Sequence, residues 1–162
     1  MVEKITLRPT LPSDLNFVLN TERHSANASF IGQWPAAQHE AALAAADIAH
    51  LIARHHQPIG YVILTGLTSA ERTVNLRRIV AVEKGQGYGR AILRQAKAYA
   101  FETAGAHRFW LDVIVSNERA RSLYESEGFV LEGTLRDAWK TADGYEDMLI
   151  MSMLEKEYAA SL

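Results

Sequence analysis

Hydrophobic positions change period several times along the chain. Ile5, Thr6, Leu7 and Arg8 alternate and stop at Pro9, which predicts a short strand. Leu15, Val18 and Leu19 then share one helical face, with Ser13 suited to the N-cap and Asp14 to the first turn. Residues 22–35 follow no period. Residues 38–46 are alanine-rich and read as helix. Residues 50–54 suit a helix or a strand equally. Residues 59–65 and 73–82 are strands joined by a connection over 67–71, and the second contains the β-branched, apolar run Ile79-Val80. From 91 to 101 apolar residues recur at three and four, the mark of an amphipathic helix, with Gly105 as its C-cap. Residues 109–115 form a strand, 118–127 a helix stopped at Gly128, and 129–135 another strand. Ala142-Asp143-Gly144 marks a hairpin turn before a final strand over 148–154. Strands come partly as hairpins and partly as β-α-β units. The expected class is therefore α/β, with a central mixed sheet and helices on its faces.

Composition narrows the options. The 162 residues fit one domain, 1–162, with room for a real core. A net charge of −2 gives no support for nucleic-acid or polybasic membrane binding. There is no cysteine, so a thiol nucleophile, a disulfide and a cysteine metal site are all excluded. His55 and His56 are adjacent and would point to opposite faces of a strand, so no metal is expected. No apolar run approaches the ~20 residues of a membrane span. The start, Met1-Val2-Glu3-Lys4-Ile5, has neither the basic nor the apolar part of a signal peptide, and the expected location is the cytoplasm.

The chemistry centres on Lys84-Gly85-Gln86-Gly87-Tyr88-Gly89-Arg90, between a strand and a helix. That order aims free backbone N–H groups and a helix dipole at one point, a site for a phosphate-bearing ligand. A P-loop is excluded, because no glycine is followed by four residues and Gly-Lys-Ser/Thr. A dinucleotide turn is excluded as well: counting from Gly85, the third position is Gly87 but the sixth is Arg90.

The spacing Lys84-x-x-Gly87-x-Gly89 resembles the acetyl-CoA signature of the GNAT superfamily of N-acetyltransferases. A second stretch strengthens the resemblance: Asn117, a helix carrying Ala120 and Tyr124, then Gly128-Phe129. The likeness runs over nearly the whole chain and is nearest to the branch holding ribosomal-protein N-terminal and spermidine acetyltransferases. It implies the GNAT fold, a mixed, mostly antiparallel, twisted sheet of six to seven strands with helices on both faces. The sequence departs from the common pattern at Ala81, where many relatives have proline, and at Asn75 and Leu76, where many carry a glutamate.

Acetyl-CoA is the co-substrate that the resemblance implies. The N–H groups of Gly85, Gln86, Gly87, Tyr88, Gly89 and Arg90 would take its pyrophosphate, with charge from Lys84 and Arg90. Its pantetheine arm would lie along Ile79, Val80 and Ala81, with Asn117 as a further partner. Tyr124 stands where the family carries the acid that protonates the leaving thiolate; a phenol at ~10 can supply a thiol at ~8.5 with little penalty. The acceptor would be a primary amine on a protein N-terminus, a polyamine or a small metabolite. Candidate bases are Glu22, His24 and Asp112, and Trp34, Trp139 and Tyr145 are candidates for the acceptor wall. Relatives often form homodimers. The alternative is a non-catalytic acyl-CoA-binding module on the same fold.

Overall fold

The computed structural model describes residues 4–162. Its frame is one seven-stranded sheet: β1 (Thr6–Pro9), β2 (Ile48–His55), β3 (Gln57–Thr65), β4 (Thr73–Ala81), β5 (Arg108–Ile114), β6 (Val130–Thr141) and β7 (Gly144–Leu154). The spatial order is β1-β2-β3-β4-β5-β7-β6, and every neighbouring pair is antiparallel except β4 and β5.

Both faces of the sheet are covered. Strand β3 alternates Tyr61 and Ile63 toward one face with Val62 and Leu64 toward the other, and all four are buried. The first face joins Ile52 and Val80 to Val18 of α1 (Leu15–Arg23), with α2 (Ser25–Ala28) and α3 (Ala36–Ala44) following on. The second face carries α4 (Tyr88–Ala98) through Ile92, Leu93 and Ala96, and α5 (Glu118–Ser126) through Tyr124. A π-helical turn over Tyr99–Thr103 ends α4. Among the described residues, no helix is long and apolar enough to cross a membrane.

Several elements differ from expectation. Residues 50–54 are strand, where His50, Leu51, Ile52 and Ala53 are all buried against both layers. Ser13 does not cap α1. A 3₁₀ turn, Pro12–Asp14, leads in, and the Asp14 carboxylate accepts the Leu11 N–H at 2.7 Å and pairs with Arg8 at 2.6 Å. Strands β6 and β7 extend well beyond 135 and before 148. Register shifts between Leu131 and Gly133 and between Leu135 and Trp139 break the alternation that would have revealed their length. Helix α6 (Glu155–Ala160) was not foreseen. It is six residues long and docks through Tyr158, whose ring stacks on Phe101 at 4.7 Å, so it has no periodic stripe to read.

Candidate active site

β4 and β5 pair over only three positions, Thr73 with Arg108, Val74 with Phe109 and Asn75 with Trp110. At the last pair before the strands part, the Asn75 side-chain Nδ2 donates to the Trp110 carbonyl at 3.1 Å. An extra residue in β4 accompanies the parting: Ile63 pairs with Arg78 but Leu64 pairs with Leu76, so Arg77 bulges out. From Leu76 to Ala81 the edge of β4 that faces β5 has no strand partner among the described residues. The gap is the floor of a cleft of about 1240 Å³, which runs from the glycine turn to residues 26–32 and the β6–β7 hairpin.

The donor end is built from backbone. Gly85 and Gly87 have φ of +80° and +79°, values that disfavour any side chain, although a Cβ at either would meet nothing within 4 Å. Their role is conformational: they turn the chain so that Gly87 starts α4 without a side-chain cap. The first intrahelical bond of α4 runs from Ala91 N–H to the Gly87 carbonyl. The N–H groups of Tyr88, Gly89 and Arg90 precede it and point out of the helix end. Gly85, Gly87, Tyr88, Gly89, Lys84 and Arg90 border the cleft, while Gln86 is exposed outside it. Ile79 and Ala81 border it too, whereas the Val80 side chain turns into the α1 side of the core.

The cations flanking the turn are already engaged. Lys84 Nζ donates to the Ala81 carbonyl at 3.2 Å; burial lowers its pKa, and the charge of Arg119 adds to this. Arg90 Nη1 reaches Glu127 at 2.5 Å and Ser126 Oγ at 3.0 Å. Arg94 and Lys97 also bind Glu127, at 3.0 and 3.1 Å. Burial works to raise the Glu127 pKa, but these three cations outweigh it and hold the carboxyl at about 2. Glu127 thus ties α4, which presents the N–H groups, to the end of α5, which carries Tyr124.

Away from the glycine turn, Tyr124 and Asp112 approach the gap from opposite faces. Tyr124 packs edge-on to Phe129 in the α4–α5 layer, with ring centroids 5.9 Å apart. Its hydroxyl has no hydrogen-bond partner among the described residues, and it borders the cleft. Burial, with the charge of Asp112 second, raises its pKa above the ordinary phenol value. Handing a full proton to a thiolate is therefore more uphill than the sequence suggested. The arrangement favours donation to sulfur as the bond breaks. Phe109, Leu111 and Val113 of β5 face the Tyr124 layer, so Asp112 faces the other side. Burial raises the Asp112 pKa and the charge of Arg77 partly offsets the rise. Asn117 is the N-cap of α5: its Oδ1 accepts the Ala120 N–H at 3.3 Å, which fixes the helix that holds Tyr124.

The acceptor candidates separate. Trp139 borders the cleft, swung in where the hairpin register slips. Tyr145 lies opposite Lys140 near the hairpin tip, 59% exposed and outside the cleft. His24 caps α2, its Nδ1 accepting the Ala26 N–H at 3.2 Å, and does not border the cleft. Glu22 is buried behind the cleft. Its carboxylate accepts from Arg78 at 2.8 Å, from the Trp34 N–H at 3.0 Å and from His39 Nε2. Burial pushes its pKa up, but His39, Trp34 and Arg78 outweigh that and leave it low. Behind His39 stand His50 at 3.0 Å and, beyond it, Thr10 at 2.8 Å; burial holds the His50 pKa down at about 4. Glu22 is thus a brace, pinning residues 29–35 to β4, and Trp34 belongs to the same brace with its ring 5.0 Å from the Arg78 guanidinium carbon. Of the three candidate bases, the structure brings only Asp112 to the cleft.

Sequence reasoning missed Arg77 and Arg78. The signal was present: two adjacent arginines interrupt an otherwise alternating, apolar strand, as a bulge does. Among the described residues, no group of three or more His, Asp or Glu side chains is placed to hold a metal ion.

The acetyltransferase (GNAT) family model matches residues 16–129. The chain belongs to the GNAT family. Within it, the spermidine N(1)-acetyltransferase of Vibrio cholerae is 34% identical over 101 residues, covering 62% of this chain and 58% of that protein. The ribosomal protein bS18-alanine N-acetyltransferase of Escherichia coli is 41% identical over 68 residues, covering 42% and 45%. The matched stretch is thus about half the length of these curated relatives. The crystal structure of Vibrio cholerae spermidine N-acetyltransferase in complex with CoA and spermine superposes with a TM-score of 0.88, at 24% identity over 96% of this chain and 98% of that one. The GNAT fold expected from the two motifs is therefore the fold observed, with seven strands and helices on both faces.

Proposed function

We propose that this GNAT protein transfers the acetyl group of acetyl-CoA to a primary amine, by direct attack with both substrates in the cleft. The observation that carries this reading is the placement of Tyr124 and Asp112 on opposite faces of the β4–β5 gap, at the end of a cleft that starts at the glycine turn. The donor site fits the molecule. Open N–H groups at Tyr88, Gly89 and Arg90 suit a pyrophosphate, and the unpaired edge of β4 suits the amides of a pantetheine arm as a partial extra strand. Curated relatives named for spermidine and for ribosomal-protein alanine acetylation support the reaction class.

When bound, acetyl-CoA supplies the thioester. Asp112 takes a proton from the attacking nitrogen, directly or through one water. Its raised pKa makes it a stronger base than an ordinary carboxylate, and the charge of Arg77 offsets part of the rise. Tyr124 donates to the sulfur as the C–S bond breaks and the N–C bond forms. Asn117 and Glu127 hold the Tyr124 helix against the donor helix. Most of the acceleration then comes from positioning and proton transfer.

The test is release of free CoA across a panel of amines, comparing wild type with Tyr124→Phe. Turnover should fall by roughly 10²-fold, with the acetyl-CoA KM within about threefold of wild type. Full turnover by Tyr124→Phe would remove it from the chemistry. Binding of acetyl-CoA without turnover of any amine would leave the non-catalytic module as the answer.

A further inference from the structure

The acceptor end of the cleft narrows the kind of amine that fits, an inference that rests on the acetyl-transfer reading above. Ala26, Phe30, Ile31, Leu135, Trp139 and Met148 form an apolar wall there. Three carboxylates border the cleft. Glu83 belongs to the glycine turn and Glu118 to the start of α5, which leaves Asp112 alone at the acceptor end. A polyamine carries several charges at neutral pH, because its amines titrate near ~10, and it would want several carboxylates. This wall offers one.

The same end holds a cation with an unused side. Arg78 is only 4% exposed yet borders the cleft. Trp34 covers one face of its guanidinium at 5.0 Å, and Nη1 is committed to Glu22 at 2.8 Å. Nε is buried and has no acceptor, and Nη2 has none among the described residues. Nε is closed off by its burial, so Nη2 is the donor that a carboxylate or carbonyl oxygen in the cleft can reach. Gly32 leaves room beside Nη2: a Cβ there would lie 2.8 Å from it. Leaving such a donor unmade is expensive, so Nη2 marks a place for an oxygen acceptor. Arg78 and Asp112 stand on the two strands that part, on the same face of the sheet.

We propose that Nη2 of Arg78 takes the carbonyl or carboxylate oxygen of the acceptor while Asp112 faces its amine. The acceptor is then an α-amine next to a carbonyl carbon, with an apolar side chain against the wall. A chain N-terminus and a free amino acid both have this chemistry; spermidine does not. An α-amine titrates near ~7.7–8.0, so a useful fraction is neutral at pH 7 and one carboxylate suffices as base.

The experiment is steady-state acetylation of four amines: an alanyl peptide amide, free alanine, propylamine and spermidine. Either alanine-type acceptor should exceed spermidine in kcat/KM by at least about tenfold, and whichever of the two is faster names the source. Gly32→Ala, which sets a methyl against Nη2, should raise KM about tenfold for the alanine-type acceptors. The acetyl-CoA KM should not change, and propylamine should lose less than the alanine-type acceptors. Preference for spermidine, or an equal loss on all four amines in Gly32→Ala, would overturn the assignment while leaving acetyl transfer in place. No turnover of any amine would overturn acetyl transfer, and this assignment with it.

Discussion

The donor and acceptor halves of the cleft are each braced by one buried carboxylate, but the two braces are built differently. Glu127 meets Arg90, Arg94 and Lys97, spaced at one turn along a single helix, and two of those cations keep much of their surface in water, with side chains 43% and 63% exposed. Glu22 meets Arg78, His39 and the Trp34 backbone, which come from a strand, a helix and a loop, and its charged partner Arg78 is as buried as it is. The first brace joins two helices through neighbours in sequence. The second joins segments far apart in sequence and holds the wall that meets the acceptor. Backbone groups grip a donor that the reading above keeps constant, whereas side chains at long range shape the variable partner.

The largest difference between the braces should appear in stability. Glu22→Ala would leave the Arg78 charge buried without its partner, a loss of about 3–5 kcal/mol. Glu127→Ala should cost about 2 kcal/mol, because Arg90 and Arg94 can turn to solvent. Chemical denaturation of both variants checks the order, and equal losses would erase the contrast. The Glu127 contribution also has a pH signature. Its carboxyl is held at about 2 against an ordinary 4.5, so the folded state binds fewer protons. Stability from this source is complete above pH 4.5 and is lost as pH falls toward 2, a fall that Glu127→Ala should flatten.

A smaller change divides the halves by kinetics. Asp112→Asn should lower kcat/KM for the amine by about 10²-fold and leave acetyl-CoA affinity unchanged. Burial places the Asp112 pKa above the ordinary carboxylate value, so wild-type activity should fall as pH drops through that raised value. The Asn variant should lose this step. Its survival would move the base elsewhere. Smallest of all, Gly87→Val should weaken acetyl-CoA binding by about tenfold, since a β-branched residue at φ +79° costs about 1–2 kcal/mol or reshapes the turn. Titration calorimetry with CoA measures it; unchanged affinity would separate the glycine turn from the donor site.

The donor half was legible in sequence because its parts are local. Lys84 to Arg90 and Asn117 to Phe129 each lie within one turn-and-helix unit, and short-range spacing carries their geometry. The strands on either side were legible for the same reason, since alternation is local. The acceptor half was not. Glu22 stood among the candidate bases, and nothing near it in sequence says that Arg78 and His39 will close over it. Gly32 lies in the stretch 22–35 that follows no period, yet its bare Cα leaves room beside Arg78 Nη2. Trp139 reaches the cleft only because the β6–β7 register slips, and a slip of that kind has no periodic trace. His50 fitted helix or strand until two layers were seen to cover it.

Three residue pairs join β4 to β5, whereas every other neighbouring pair of strands shares at least four. In mechanical terms the sheet has a seam. A load drawn across the strands, pulling β1 away from β6, reaches that seam as its shortest run of hydrogen bonds and parts the molecule there before any antiparallel hairpin yields.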